Sequence, residues 1–207
     1  ICAPMQIPGH IDPVPVPRAI TPREDGRVDL MGLSREQIRA ELEAAGLEPK
    51  QAKLRAKQIF HWLYHRGVRD FAEMRNISRE LRRRLDEEFI IGRPEIVTEQ
   101  VSNDGTRKWL LRLAPDSHGA RHEVEMVYIP EDDRGTLCSP PQVGCTLTCT
   151  FCQTGTQKLV RNLTANEIVA QVMTARDGVK DWPADIEANP RPPLGGRYIT
   201  NVVLMGM

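Results

Sequence analysis

The chain has 207 residues, and its 28 Lys and Arg side chains balance 28 Asp and Glu to a formal net charge of zero. That length holds one good core or two small domains, and the balance excludes bulk electrostatic attraction to nucleic acid, so any such preference must be local. No run approaches about eighteen consecutive apolar residues, and no charged segment near the start leads into an apolar one, so neither a spanning helix nor a signal peptide is expected.

Five cysteines with three in one cluster argue for thiolate ligation in a reducing compartment, against a disulfide framework. A soluble cytoplasmic protein is the expectation. The first residue is Ile, so the chain is expected to lack its true start.

Residues 1 to about 30 are rich in proline (Pro4, Pro8, Pro13, Pro15, Pro17, Pro22) and read as an extended arm, because proline removes donors and blocks helix. A helical segment, 31–94, follows. Ser34 and Gln37 form a capping-box signature, with Ile38, Leu42 and Ala45 at a 3.6 period until Gly46. A second helix runs from Pro49 to Gly67, with Leu54, Ile59, Trp62 and Leu63 as its apolar stripe. A third starts at Ser78 and packs Leu81, Leu85 and Phe89. Between residues 34 and 93 there are fourteen Lys and Arg against ten Asp and Glu, so this small bundle carries about +4. Its basic residues, Arg82-Arg83-Arg84 among them, suit a phosphate-facing surface or a merely solvated face.

From Glu95 to about Pro130 the period falls to two. Ile96-Val97 opens a strand, Asn103-Asp104-Gly105 is a hairpin turn, Lys108 to Leu113 returns, and His122 to Ile129 forms a third strand. On that third strand Glu125 shares a face with Val127 and Ile129. A carboxylate on an apolar face pairs with a cation or has a chemical task.

Residues 133–207 read as the start of a parallel sheet. A short strand through Leu137 and Cys138 leads via Pro140-Pro141 into Cys145, Cys149 and Cys152. Thr164 and Glu167 then cap an amphipathic helix ending near Gly178. Residues 179–197 read as a loop insertion, and Ile199 to Met205 as a strand buried on both faces. Strand, loop, helix and strand make one βαβ unit, with the loop at the edge where such folds place ligands. Two parallel strands are not a stable domain, so the catalytic module is expected to be cut off partway.

Cysteines at Cys-x3-Cys-x2-Cys spacing offer three soft ligands from one loop, suited to an iron–sulfur cluster or zinc. Val143, Leu147 and Phe151 are interleaved with them, as if the loop lay half buried beside a core. Three thiolates leave a corner for a ligand that is not protein. For zinc, Cys138 would be the fourth ligand, although structural zinc more often uses two separated pairs.

Cys-x3-Cys-x-aromatic-Cys after a first strand resembles the signature of radical S-adenosylmethionine (SAM) enzymes. Neighbouring words narrow the resemblance to RlmN/Cfr-type RNA adenine methyltransferases, on the RlmN side: Glu125 to Glu131, Arg134 to Cys138, Gln142 to Cys145, Arg161 to Thr164 and Thr200 to Met207, with Asp104-Gly105-Thr106, Lys108-Trp109, Gln58-Ile59 and Trp62-Leu63-Tyr64. The resemblance covers about residues 30 to 207.

It implies a mixed α/β fold: a partial radical-SAM (β/α) barrel preceded by a helical accessory, RNA-binding domain (31–94) and a β-hairpin segment (95–132). It implies methylation of adenosine carbon 2 in 23S rRNA and tRNA, with a [4Fe-4S] cluster and SAM as cofactors. Cys145, Cys149 and Cys152 would hold the cluster, and Gly206 would begin the SAM-binding segment. Glu125 would accept a proton, and Cys138 would help resolve a covalent protein–RNA intermediate. An electron donor such as flavodoxin, a monomeric state and no membrane association also follow. The chain has no cysteine after Cys152, so the methyl-carrying cysteine of such enzymes is absent and the chain alone is expected to be inactive. A zinc-binding RNA module, or a radical SAM enzyme with another substrate, are the alternatives.

Overall fold

Ser34 accepts from the backbone N–H of Gln37, and the Gln37 side chain accepts from Ser34 N–H at 2.9 Å. This reciprocal cap starts α1 (Arg35–Ala44), which buries Ile38 and Leu42. The computed structural model containing this helix describes residues 25–116, 118–146, 149–152, 154–188 and 197–205. Most of the proline-rich arm, and Gly206, lie outside the described residues.

Helix α2 (Pro49–His61) has proline in its first turn, where no intrahelical donor is lost. It continues as a π-helical turn, Trp62–Arg66, that ends at left-handed Gly67. Its buried stripe is Ala52, Ala56, Ile59 and Leu63. Leu54, expected in that stripe, is 54% exposed. Small Ala52 and Ala56 take the inward face and let α1 and α2 approach closely. Helix α3 (Arg79–Glu88) is capped by Ser78. Phe89, expected within this helix, begins strand β2 (Phe89–Ile90), which pairs in parallel with β1 (Val28–Asp29). The chain from Val28 to Leu33 therefore enters the bundle, and Leu30, Met31 and Leu33 are core residues. Proline density upstream hid that.

Strands β3 (Glu95–Val101), β4 (Arg107–Arg112), β5 (Glu123–Pro130) and β6 (Gly135–Ser139) form an antiparallel run. Gly105, at φ +85°, closes the β3–β4 turn. A short pair, β7 (Gln142–Val143) and β8 (Arg161–Asn162), then leads to α4 (Ala165–Val179) and α5 (Pro183–Ala188). Strand β9 (Asn201–Leu204) pairs in parallel with β6, giving the sheet order β3-β4-β5-β6-β9. The fold is mixed α/β, with β6, α4 and β9 as a βαβ unit in an open sheet. β9 was expected to be buried on both faces. Among the described residues it is an edge strand, with Val202 47% and Leu204 56% exposed.

One sheet face packs Trp109, Leu111, Val124, Met126 and Leu137 against Ile168, Val172 and Ala175 of α4. The other side of α4, through Ala170 and Met173, joins the helical core together with Trp182. Trp182 and α5 lie in the segment read as a loop insertion. Asp177 fastens the bundle to α4: it accepts from Arg93 Nε at 2.9 Å and from Trp182 Nε1 at 2.8 Å. Arg176 lies 3.6 Å over the Trp182 ring and pairs with buried Asp181. A Cβ on Gly67 would stand 2.2 Å from that ring, so only glycine permits the approach.

The Arg93 side chain is only 6% exposed, so removing its partner strands a buried cation. Asp177→Ala is expected to cost about 3 kcal/mol in urea-induced unfolding. A loss below about 1 kcal/mol would mean the pair does not fasten the two cores.

Candidate functional site

The cysteine segment leaves the C-terminal end of β6 and returns at the start of α4. Backbone pairing closes it: Val160 N–H donates to Val143 O at 2.9 Å, Leu163 N–H to Pro141 O at 2.9 Å, and Cys145 N–H to Gln157 O at 3.2 Å. Gly144 makes the closure possible. Its φ is +77°, and a Cβ there would lie 2.1 Å from Lys158 O.

Both ends of the loop are tied to α4. At the entry, buried Ser139 donates its hydroxyl to Gln171 Oε1 at 2.9 Å, and Gln171 Nε2 donates to Pro140 O at 3.3 Å. At the exit, Arg161 makes a two-pronged ion pair with Glu167, at 2.8 and 2.6 Å. Glu167 also accepts from Thr164 N–H at 2.8 Å, completing the expected cap. Burial opposes the Glu167 charge, but Arg161 and the cap together hold its carboxyl below the ordinary value.

Cys145, Cys149 and Cys152 are half-buried thiols. Cys152 N–H donates to Cys149 O at 3.2 Å, so Cys149 to Cys152 is a tight turn, and Gly155 N–H donates to Cys152 O at 3.0 Å. Backbone N–H groups of Gly155 and Thr154, with the Thr154 hydroxyl, draw the Cys152 thiol below its ordinary value. Among the described residues no three His, Cys, Asp or Glu side chains converge as a ready metal cage. Leu147 and Thr148, between the first two cysteines, lie outside the described residues. The donor set fits a soft cluster: three thiols on one closed loop, one of them already biased toward thiolate. Phe151 departs from expectation. It is 91% exposed and shields nothing.

Glu125 and Cys138 alternate with core residues and so lie on the sheet face away from α4. Cys138 is opposite Val127, which puts Glu125 diagonally from it, about 7–8 Å away, toward the end of β6 where the cysteine loop leaves. Glu125 pairs with Lys108 Nζ at 2.9 Å, diagonally from it on β4. The sequence suggested a cation partner or a chemical task for such a carboxylate. Lys108 is the cation found, two residues from Leu110, which is registered with Glu125. Gln171 and Ser139 carried no sequence signal, because their role depends on a contact between a strand end and a helix. Beside the sheet, Asp116 accepts from His122 Nε2 at 3.0 Å and from two backbone N–H groups, which draw its carboxyl down to about 2.

Residues 28–91 match the family described as the ribosomal RNA large subunit methyltransferase N-terminal domain. The chain is 58% identical over 220 residues to the dual-specificity RNA methyltransferase RlmN of Novosphingobium aromaticivorans, covering 99% of this chain and 50% of that protein. It is 59% identical over 203 residues to the protein of that name from Rhizorhabdus wittichii, covering 98% and 47%. A solved radical SAM methyltransferase from Sphaerobacter thermophilus superposes with a TM-score of 0.67 at 36% identity, over 86% of this chain and 46% of that one. The chain thus spans about half the length of the curated relatives it matches.

Two outcomes follow from the loop and its brace. Gly144→Ala is expected to open the β7–β8 closure, so amide exchange at Val160 and Leu163 accelerates at least about tenfold; unchanged protection would contradict the steric account. Asp116 has a folded pKa of about 2, below its ordinary 3.8. Its contribution to stability is therefore complete above pH 4 and lost as pH falls through about 2. Asp116→Asn should remove that part of the acid dependence, and an NMR titration placing Asp116 near its ordinary value would refute the brace.

Proposed function

The chain belongs, along nearly all its length, to the family of RlmN-type RNA methyltransferases, and from that premise we propose that it forms the part of such an enzyme that holds the metal cluster and contacts RNA. The activity in question is methylation of carbon 2 of adenosine in 23S rRNA and tRNA. The observation that carries the reading is a loop of three thiols, tied at both ends to one helix, beside a sheet face bearing Glu125 and Cys138.

Cys145, Cys149 and Cys152 would hold a [4Fe-4S] cluster through their thiolates, leaving one iron to be bound by SAM. When bound, these groups supply the one-electron chemistry that an electrophilic adenine carbon needs. The residues of this chain place and trim the reaction. Ser139, Gln171, Arg161 and Glu167 fix both ends of the loop and so limit its movement during the chemistry. Glu125 accepts the proton that leaves adenine carbon 2, with Lys108 setting the position of its carboxylate. The Cys138 thiol, on the same face, resolves the covalent protein–RNA intermediate. No cysteine follows Cys152 in these 207 residues, so none of those later residues can serve as the methyl-carrying cysteine. Gly206 opens the SAM-binding segment.

The enzyme works in the cytoplasm as a monomer, with a small electron donor such as flavodoxin. Among the described residues no helix is long and apolar enough to cross a membrane.

The test joins these 207 residues to the unmatched half of the Novosphingobium aromaticivorans relative and reconstitutes the chimera without oxygen. A brown protein with about four irons per chain is expected, together with 2-methyladenosine in digested ribosomal and transfer RNA. Cys149→Ala should lose most of the iron, because two thiolates cannot hold the cluster. A colourless chain holding one zinc would establish the zinc module instead. An intact cluster that yields no methylated RNA would point to another radical enzyme.

A further inference from the structure

Many surface arginines answer to a carboxylate, among them Arg39 to Glu43, Arg107 to Glu99 and Arg112 to Glu123. Two of the four arginines of α3 follow that rule. Arg83 pairs with Glu87 and Arg84 with Glu88, while Arg82 and Arg84 also donate to the carbonyls of Ala72 and Ala45. Residues 79–88 hold four Arg against four Asp and Glu, so α3 is electrically balanced. Helix α2 is not. With its π-helical turn, residues 49–66, it carries five Lys and Arg, two His and no acidic residue.

Lys50, Lys53, Lys57, His61 and His65 are all exposed and recur every three or four residues. At helical geometry that puts them in one narrow stripe, with neighbours about one 5.4 Å turn apart. No carboxylate among the described residues is in ion-pair contact with the three lysines. At the end of the stripe the imidazoles of His61 and His65 stack, with centroids 5.0 Å apart and planes inclined by 20°.

We propose that this α2 stripe, and not the arginines of α3, is the surface that grips the phosphate backbone of RNA, and that it grips more tightly as His61 and His65 gain protons. The proposal rests on the RNA methyltransferase reading above and assigns that substrate a place on the helical module. A membrane surface is a poorer occupant. A helix lying on lipid must present an apolar face, whereas Ala52, Ala56, Ile59 and Leu63 are buried in the core, which leaves only Leu54 exposed beside the lysines.

The pH dependence has a physical source in the stacked pair. Two imidazolium rings this close repel each other. Partial burial, then His65 and Arg66, already hold His61 below its ordinary value of 6.5. A phosphate beside the rings offsets that repulsion, so proton uptake and RNA binding reinforce each other. Besides Lys57 and Arg66 on its own helix, His65 shares a cavity of about 260 Å³ with Arg176, Asp181, Glu187 and Arg197. Those two cations and two carboxylates, from α4, α5 and the chain beside them, balance in sign. The net bias at the pair thus comes from the stripe itself.

The experiment is fluorescence anisotropy of the full chain with a labelled RNA stem-loop, over a range of salt, at pH 7.5 and 5.5. Replacing Lys50, Lys53 and Lys57 together by Gln should weaken binding about tenfold and lower the salt slope by about two to three, one phosphate contact per lysine. Arg82→Gln with Arg83→Gln should change the affinity less than about twofold. Wild type should bind about three- to tenfold more tightly at pH 5.5 than at pH 7.5, and His61→Gln with His65→Gln should bring that ratio to about one. Lysine-to-arginine replacement at the three stripe positions should restore both affinity and slope, separating charge from folding. A triple glutamine variant with wild-type affinity and slope would overturn the stripe and leave the RNA reading standing, as would a larger loss from the α3 variant. A pH gain that survives in the histidine variant would overturn the switch. Wild type that binds no RNA at low salt would sink the RNA reading itself, and binding to phosphatidylserine vesicles in its place would assign a lipid surface.

Discussion

Helix α4 is held from two sides, and the rest of the structure depends on that. Ile168, Val172 and Ala175 complete the core of the sheet, while Ala170 and Met173 complete the core of the helical bundle. Its first two turns also receive the cysteine loop, through Glu167 at one end and Gln171 at the other. Its last turn carries Asp177, which takes Arg93 and Trp182. A loop of three thiols would otherwise have only the short β7–β8 pairing to define it. Fixing the loop and the bundle to one rigid element sets the distance between them.

The two sheet faces divide the remaining work. One is covered by α4 and supplies stability. The opposite face carries Glu125 and Cys138 near the edge where the loop emerges, and its apolar residues, such as Ile129 at 39%, stay partly open. The Glu125–Lys108 pair is too exposed to add much stability. Its value lies in holding a carboxylate at a defined place. Electrostatics also distinguish the helices of the bundle: α3 holds as many acidic as basic residues, whereas α2 with its π-helical turn holds basic residues and no acidic one.

Much of this was legible in the sequence wherever a local rule decides the outcome. Ser34 with Gln37, and Thr164 with Glu167, are caps whose partners lie three residues away, and both form as read. The Asp104-Gly105 turn and the period of two predicted the antiparallel strands, and the family words around Cys145 predicted a radical SAM methyltransferase fold. Long-range decisions were hidden. Leu30 and Met31 enter the core because β1 pairs with β2 some sixty residues later, which proline counting cannot reveal. Trp182 is buried by contact with Gly67 and Arg176, although prolines and glycines follow it in sequence. Leu54 and Phe151 are apolar yet exposed, because the neighbouring geometry turned other residues inward. The arginine run in α3 attracted attention by density, but its intrahelical carboxylates settle its charge.

On the proposed function, the loop gives a cluster three protein ligands and leaves one iron to a ligand from solution. Mössbauer spectroscopy of the chimera described above, reconstituted with iron-57 and recorded before and after SAM is added, tests this directly. The account predicts that a single iron site changes its isomer shift and quadrupole splitting, as its ligand set gains nitrogen and oxygen. A spectrum that SAM leaves untouched, with all irons equivalent, would show that the protein fills the fourth corner and would contradict the claim.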